Sequence, residues 1–300
     1  MNTRQHWLHA FRLRTLPLAL SSIAMGGFLA LNAGAFEWDI FLLCVLTTIF
    51  LQILSNLAND YGDSVHGADN INRKGPLRAV QSGVIKPAEM RKAIVFFIVL
   101  SLLSGVILLF VSFGFQWDAI FFFFALGLLS MGAAVTYTVG RRPYGYLGLG
   151  DLSVLVFFGL IGVMGSYYLF TKKISWFEVL PALSMGLLSV AVLNVNNIRD
   201  IESDKLAGKY SIPVRLGRGK AIVYHWALLT LAAFFAVLYT ALDFRSPWQF
   251  LFLLAIPLFI RNAIAITRKP SEQLDPYLKQ MAISALLFVL LFGIGSIIRS

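Results

Sequence analysis

Long apolar runs alternate with shorter polar segments along the whole chain. A bilayer core about 30 Å thick is crossed by about 20 helical residues that each rise 1.5 Å. Nine runs approach this length, so the pattern predicts nine transmembrane helices. We place them at residues 16–35, 39–59, 93–115, 117–139, 147–170, 176–197, 221–242, 248–267 and 279–298. The predicted fold is an all-α integral membrane protein whose residues 1–300 form one domain.

The composition agrees with this prediction. Of the 300 residues, 58% are hydrophobic and only 13% are charged, and the mean hydropathy is +0.76. A soluble domain of this length needs far more charged surface. The first run follows Arg4, Arg12 and Arg14, which resembles the basic start of a signal peptide. Because the run is too long for a signal peptide and lacks a clear cleavage site, we expect it to be retained as the first helix.

The formal charge of +10 is also found in nucleic-acid-binding proteins, but its distribution argues against that function. With the N-terminus in the cytoplasm, twenty of the 25 basic residues fall in cytoplasmic segments and four in outside segments. This asymmetry follows the positive-inside rule. We therefore expect the basic residues to set the orientation in the membrane, and we expect no nucleic-acid partner.

Two long cytoplasmic connections, residues 60–92 and 198–220, carry similar polar patterns. Each has an Asn cluster at the end of a span, then spaced Asp residues, then a basic segment that contains Gly. The first pattern includes Asn56, Asn59, Asp60, Asp63, Asp69 and Arg78, and the second includes Asn196, Asn197, Asp200, Asp204 and Lys209. Weak internal symmetry of this kind is typical of a duplicated helical unit. It predicts two similar Asp-motif halves that face one central cavity.

The spacing of the acids indicates a metal site. If the spans stay helical to their ends, Asp60 and Asp63 share one helix face, and Asp200 and Asp204 share another. Facing carboxylates repel each other unless a cation joins them. Mg²⁺ suits hard oxygen ligands and also binds phosphate oxygens. The sequence therefore predicts Mg²⁺ as the cofactor at these two motifs.

Basic residues near the motifs indicate an anionic substrate. They are Arg73, Lys74, Arg78, Arg141, Arg142 and Lys209. A diphosphate fits this pattern, because two metal corners can each hold one end and can stabilise the diphosphate as a leaving group. The apolar bundle beside the motifs suits an isoprenoid tail and keeps water away from a carbocation.

Simpler explanations remain open for single residues. One cluster of Asn and Asp is often a solvated loop or a helix cap, whereas two similar clusters on one side favour a site. Asp151, at the inner start of the fifth span, is either a site residue or a helix N-cap. Arg142 either binds substrate or anchors the topology. We expect Phe121–Phe124 to face lipid and Asp275 to shape a turn.

Several segments together resemble one known family. They are Leu13–Pro17, Asn56–Asp63 with Asp69, Gly75–Gly83, Thr136–Thr138, Arg142–Gly148, Asn196–Asp204 and Leu274–Pro276. From Arg12 to its end the chain resembles the UbiA-type intramembrane prenyltransferases, and within them the branch that acts on 1,4-dihydroxy-2-naphthoate. One spacing differs, because Gly67 stands where the superfamily has its third Asp and Asp69 follows two residues later.

The resemblance implies nine transmembrane helices around a central cavity and a Mg²⁺-dependent aromatic prenyltransferase. Such an enzyme transfers a polyprenyl group from polyprenyl diphosphate to 1,4-dihydroxy-2-naphthoate, with loss of CO₂ and diphosphate. The product would be demethylmenaquinol, an intermediate of menaquinone biosynthesis. The implied location is the inner membrane of a bacterium, surrounded by membrane lipid, with the active site on the cytoplasmic side.

The resemblance also implies roles for single residues. The expected catalytic and metal-binding residues are Asp60, Asp63, Asp200 and Asp204, with Asp69 as a further metal ligand. The expected substrate-binding residues are Asn56, Asn59, Arg78, Arg142, Asp151, Asn196, Asn197 and Lys209. Two alternatives remain at this point. One is a UbiA-type enzyme with another aromatic acceptor, and the other is an ion-coupled secondary transporter, which also combines internal repeats with acids in the membrane.

Overall fold

The structure, a computed structural model, describes residues 3–66 and 79–298. Within these ranges, nine helices are long and apolar enough to cross a membrane, which confirms the predicted number. We number the helices of the described residues α1 (Thr3–Ala10), α2 (Leu16–Asn32), α3 (Trp38–Val65), α4 (Pro87–Phe113), α5 (Trp117–Thr136), α6 (Gly150–Thr171), α7 (Trp176–Arg199), α8 (Ile201–Leu206), α9 (Ile212–Leu242), α10 (Pro247–Arg268) and α11 (Asp275–Ile297). The first of the nine spans, Gln5–Asn32, contains most of α1 and all of α2, and the short helix α8 does not span. The chain is a multi-pass membrane protein.

Proline marks the start of five of these helices. It lies in the first turn of α2, α4, α9, α10 and α11 as Pro17, Pro87, Pro213, Pro247 and Pro276. The first turn has no intrahelical acceptor for its N–H groups, so proline loses nothing there and its fixed φ favours the helix. Proline in the sequence therefore marks where these five helices begin.

The two long polar connections are more helical, in their described parts, than the hydropathy pattern predicts. Helix α3 continues six residues past the predicted end of its span, to Val65. The prediction of a loop over residues 198–220 is wrong for most of its length, because α8 and the first turns of α9 lie there. A helix continues beyond the apolar segment as long as its backbone hydrogen bonds continue. Hydropathy measures only the polarity of the side chains, so it does not detect such an extension. A break occurs at Gly217, whose φ is 72°.

Small residues allow two of the membrane helices to approach closely. A Cβ atom added to Gly186 of α7 would lie 3.1 Å from the Cα atom of Gly159 in α6. A Cβ atom on Gly159 would lie 2.7 Å from the Ala182 carbonyl oxygen. Close backbone contact of this kind replaces hydrophobic association inside a bilayer, where lipid is as apolar as the helices. The centre of α6, Leu155–Gly165, is a π-helix, which is wider than an α-helix.

A cavity of about 410 Å³ lies among α2, α3, α4, α5 and α6, as the sequence predicts for a central cavity. At one end it is lined by Asn56 and Asn59, beside the first acidic motif, and the apolar side chains of the bundle line its length. Phe124 and Leu128 line the cavity and are also 36% and 45% exposed. The cavity therefore reaches the outer surface of the bundle along α5.

The run Phe121–Phe124 follows its expected orientation only in part. Phe121 and Phe122 are exposed on the outer face of α5, as predicted for lipid-facing residues. Phe124 is also exposed but lines the cavity as well, and Phe123 is half-buried and lines the cavity. Four consecutive helical residues cover all sides of a helix, so a run of four cannot face lipid as a whole.

Candidate functional site

The first acidic motif lies on one helix face, as the sequence predicts. Because α3 stays helical to Val65, Asn56, Asp60 and Asp63 point to the same side, and all three are buried. The Asn56 amide donates to the Phe11 carbonyl oxygen over 2.9 Å. Asn56 therefore fastens the segment before α2 to α3, and this segment forms one wall of the site.

Each acid of the first motif binds a side chain from a distant part of the sequence. The guanidinium of Arg12 lies 2.9 Å from Asp60. The Tyr146 hydroxyl donates to Asp63 over 2.9 Å. Arg12 has a φ of 49°, which is uncommon for a residue with a side chain and is often found at functional sites. Both carboxylates are thus held in place, and the positive charge of Arg12 partly compensates the negative charge of Asp60.

Gly62 allows the connection after α5 to lie against the first motif. Thr138 donates from its hydroxyl to the Ala58 carbonyl oxygen over 3.1 Å and to the side-chain oxygen of Asn59 over 3.2 Å. A Cβ atom on Gly62 would come within 2.5 Å of both the carbonyl oxygen and the hydroxyl of Thr138. No side chain fits between the two backbones.

We expect Gly62→Ala to destabilise the protein by about 1–3 kcal/mol and to lower its activity, because the methyl group must displace Thr138 and with it the acid side of α3. The matched control is Gly132→Ala in α5, where the added Cβ meets no atom within 4 Å. This control is expected to be neutral or to stabilise by up to about 1 kcal/mol. Thermal unfolding of both purified variants measures the difference. Equal melting temperatures for the two variants would show that the close approach at Gly62 is not required.

The second motif differs from the predicted continuous helix face. Helix α7 ends at Asp200, whose φ and ψ are −101° and 13°, and Asp204 lies on the separate helix α8. The Arg199 guanidinium donates to both carboxylate oxygens of Asp200, over 2.9 and 2.7 Å. Neighbouring residues of a regular helix do not face each other, so this pair requires the bend. The predicted helix is therefore interrupted between the two acids, although the backbone N–H groups of Asp200 and Asp204 still donate to the carbonyl oxygens four positions earlier, over 3.1 and 2.8 Å. The shared face of Asp200 and Asp204 stays a prediction.

Arg199 is the centre of a buried ion network. Its side chain is 1% exposed, and it also lies 2.6 Å from Asp275 at the start of α11. Asn196 accepts a further hydrogen bond from Arg199 over 2.9 Å. Asp275 in turn binds Arg14 over 3.0 Å. Asp275, which the sequence analysis assigns to a turn, thus joins the segment before α2 to the second motif.

Asp204 and Lys209 form the other side of the second motif. Their charged atoms lie 3.3 Å apart, and both residues are buried. Burial raises the pKa of the Asp204 carboxyl to about 6, Lys209 lowers it, and the carboxylates of Asp200 and Asp63 raise it. Since carboxylates of both motifs lie within electrostatic range of Asp204, the two motifs lie close together.

Charged residues of both motifs interact electrostatically with the Tyr137 hydroxyl. Burial raises the pKa of its hydroxyl to about 12, Lys209 lowers it, and Asp63 and Asp204 are among the carboxylates that raise it. The residue also lines the central cavity. A neutral phenol is therefore available as a hydrogen-bond donor where the cavity meets the acids.

Other candidate residues occupy varied positions. Asn59 accepts from Thr138, and the side-chain oxygen of Asn197 is buried without a hydrogen-bond partner.

Asp151 accepts from the Tyr224 hydroxyl over 2.8 Å, and Leu149, not Asp151, is the N-cap of that helix. Arg142 is exposed. Asp69 and Arg78 lie outside the described residues, as do Arg73 and Lys74.

Sequence reasoning missed five residues that belong to the surroundings of the acids: Arg12, Tyr137, Tyr146, Arg199 and Asp275. Arg12 and Arg199 were assigned to topology because their charge fits the positive-inside rule. The segments with Tyr137, Tyr146 and Asp275 were noted for their resemblance to a family, which was a usable signal. Their contacts with the motifs span up to 83 positions of sequence and have no local signature.

Comparison with known proteins agrees with this geometry. The sequence model of the UbiA prenyltransferase family matches residues 19–293. The chain belongs to the UbiA prenyltransferase family. This UbiA-family chain is 47% identical to the 1,4-dihydroxy-2-naphthoate octaprenyltransferase of Haemophilus influenzae, with 97% of the chain and 96% of that protein covered. It is also 47% identical to the protein of the same name from Escherichia coli, with 97% and 94% covered.

Solved structures show the same fold. A UbiA homologue from Archaeoglobus fulgidus, bound to GPP and Mg²⁺, aligns with a TM-score of 0.68 and 17% identity. The alignment covers 97% of the UbiA-family chain and 99% of the archaeal one. The apo structure of a homologue from Aeropyrum pernix also gives a TM-score of 0.68 at 17% identity. Membership in a prenyltransferase family makes the protein an enzyme and removes the transporter alternative.

The acids of the UbiA-family chain fit Mg²⁺ in a particular way. Within residues 3–66 and 79–298, no three His, Cys, Asp or Glu side chains are close enough to hold one ion. In the described part of the site, an ion therefore needs ligands beyond these side chains to complete its coordination. Mg²⁺ usually binds one or two carboxylates and completes its octahedron with water and substrate phosphate oxygens. Sparse, buried carboxylates suit an ion that arrives with a diphosphate.

Proposed function

We propose that the protein transfers a polyprenyl group from polyprenyl diphosphate to 1,4-dihydroxy-2-naphthoate, releasing diphosphate and CO₂. One observation carries this proposal: the buried acids of the two motifs lie close together, and the first motif adjoins the end of an apolar cavity that reaches the lipid-facing surface. The acids suit the charged end of the donor, and the cavity suits its tail. The names of the bacterial relatives support the naphthoate as acceptor. Demethylmenaquinol would be the product, for menaquinone biosynthesis.

The acids of the two motifs are the proposed Mg²⁺ ligands. Asp60 and Asp63 hold Mg²⁺ at one corner, and Asp200 and Asp204 hold it at the other. Bound Mg²⁺ supplies the positive charge that draws negative charge onto the departing diphosphate. Lys209 compensates the negative charge beside Asp204 and can turn to a diphosphate oxygen.

The rest of the reaction depends on the cavity and the acceptor. As the C–O bond of the donor breaks, its allylic carbon becomes cationic, and apolar walls keep water from this carbon. The electron-rich ring of the acceptor attacks through the carbon that bears the carboxylate. Loss of CO₂ then restores aromaticity. We assign Tyr137 as a hydrogen-bond donor to an oxygen of the diphosphate or of the acceptor.

We further propose that the protein lies in the inner membrane of a bacterium, with a cytoplasmic N-terminus. The support is the distribution of basic residues, which places the acidic motifs on the cytoplasmic side. Both substrates then meet the site from that side, the donor through the lipid and the acceptor from the cytoplasm. The whole chain acts as one catalytic unit.

The loss of CO₂ gives the direct test. Purified enzyme in detergent is supplied with Mg²⁺, octaprenyl diphosphate and naphthoate labelled in its carboxyl group. Labelled CO₂ is expected in a 1:1 ratio with prenylated product, and neither is expected after removal of Mg²⁺ by a chelator. A parallel reaction with 4-hydroxybenzoate controls for acceptor choice. Prenylation of 4-hydroxybenzoate, without CO₂ from the naphthoate, would overturn the acceptor and leave the prenyltransferase activity intact.

A further inference from the structure

A second cavity, of about 390 Å³, lies at the end of the bundle opposite the acidic motifs. It is formed by α2, α7, α9 and α11 together with the start of α10. Its polar lining includes Asn32, Glu178, Tyr239, Asp243 and Arg245. The proposed transfer reaction uses none of these residues, because they lie at the far ends of their helices.

Glu178 gives this cavity an unusual charge. The residue is only 9% exposed, and its Oε2 atom has no hydrogen-bond partner. The Tyr239 hydroxyl faces the same carboxyl group. A buried carboxylate oxygen without a partner is costly, since burial removes its water and nothing replaces it. A cation beside this oxygen therefore stabilises the buried carboxylate.

The other charges at the cavity are already balanced. Arg245 pairs with Asp243, with a guanidinium–carboxylate distance of 2.7 Å. Gln249 accepts from the backbone N–H of Arg245 over 2.6 Å and donates to the Asp243 carbonyl oxygen over 3.1 Å, which fixes the loop. Among the described residues that line the cavity, Glu178 thus contributes one uncompensated negative charge.

The surroundings of Glu178 favour an organic ammonium over a metal ion. A divalent cation needs several oxygen ligands, and no group of three His, Cys, Asp or Glu side chains that could hold a metal occurs in the described ranges. Aromatic rings line the cavity instead: Phe177 and Tyr239 stack with ring centroids 4.6 Å apart, and Phe292 lies beside Tyr239. Aromatic faces attract organic ammonium groups. The volume also exceeds the need of a single inorganic ion.

The mouth of the cavity suits a phospholipid. Leu242 lines the cavity, and Phe244 and Trp248 lie next to lining residues in the sequence. All three are more than 50% exposed, as is usual where a membrane protein meets the headgroup layer. Arg245 lies at this mouth with its side chain 62% exposed. We propose that the cavity binds a primary ammonium group, carried by a zwitterionic phospholipid headgroup, with the ammonium at Glu178 and the phosphate near Arg245.

The test is native mass spectrometry of the purified full chain, with phosphatidylethanolamine and phosphatidylcholine added at equal concentration. The wild type is expected to retain phosphatidylethanolamine at least about tenfold better, because a quaternary ammonium cannot donate the charge-assisted hydrogen bond. Glu178→Gln is expected to lose this preference. The matched control is Glu37→Gln, an exposed acid at the same end of the bundle, which is expected to keep it.

A second measurement serves if Glu178→Gln does not fold. The melting temperature of the wild type is recorded with short-chain phosphatidylethanolamine, with the matching phosphatidylcholine and with free ethanolamine. A rise with the first alone supports a lipid-borne ammonium, and a rise with ethanolamine as well shows that a free amine also fills the site. Equal retention of both lipids by the wild type, or an unchanged preference in Glu178→Gln, would overturn the proposal. Prenyl transfer is not involved in either readout.

Discussion

Asp60→Asn and Asp200→Asn are each expected to lower prenyl transfer by about 10²- to 10³-fold or more, the loss seen when one electrostatic contact to a transition state is removed. Asparagine keeps the size of the side chain and removes its charge. Both acids are buried, with 1% of Asp60 and 3% of Asp200 exposed, so a charge there acts through a low local dielectric. The rate of product formation at saturating Mg²⁺, followed by chromatography, measures the effect.

Folding is not expected to account for this loss. After Asp60→Asn, the partner Arg12 still has water, because its side chain is 21% exposed. After Asp200→Asn, Arg199 still pairs with Asp275. The control is Asp118→Asn, an exposed acid in the first turn of α5, which is expected to retain full activity. If either motif variant turned over at the wild-type rate, its acid would not hold the metal.

Arg199→Met is expected to destabilise the protein by about 3–5 kcal/mol, the usual cost of removing one partner from a buried ion pair. The substitution leaves Asp200 buried, with its side chain 4% exposed, and removes the guanidinium that binds both of its oxygens. Methionine fills a similar space, so a cavity contributes little to the effect. Thermal or denaturant unfolding in detergent measures the change.

Two further variants separate the parts of this network. Arg199→Lys keeps the charge but offers a single donor point instead of a planar fork, so we expect a smaller loss. Asp275→Asn is expected to have the mildest effect, because the Asp275 side chain is 30% exposed and water replaces part of what is lost. A wild-type melting temperature for Arg199→Met would mean that the network does not stabilise the fold.

Much of the architecture could be predicted from hydropathy alone, for a simple reason. The bilayer imposes one length and one polarity on every crossing segment, so nine apolar runs lead directly to nine helices. The helix ends could not be predicted in this way. Residues 60–65 and 212–220 lie outside the predicted apolar runs, yet the backbone there stays helical except at Gly217. Their conformation is set by hydrogen bonds and by packing rather than by lipid.

The candidate site could be predicted only as far as its local patterns reach. The acids of each motif are neighbours in sequence, and their helical spacing was visible. The pairs Arg12–Asp60 and Arg199–Asp275 join residues 48 and 76 positions apart, which no local pattern records. The bend at Asp200 was also missed, since it follows from an ion pair between adjacent residues.

The exposed rim of the central cavity has a kinetic consequence. A donor that enters beside Phe124 and Leu128 comes from the hydrocarbon phase, so its effective concentration is its mole fraction in the bilayer. Extra inert lipid or detergent, at a constant amount of donor per volume, dilutes the donor in two dimensions and slows the enzyme. An apparent KM for the donor in molar units then depends on the amount of detergent or lipid as well as on the protein. Rates from different preparations become comparable only when the donor concentration is given as its mole fraction in the lipid or detergent.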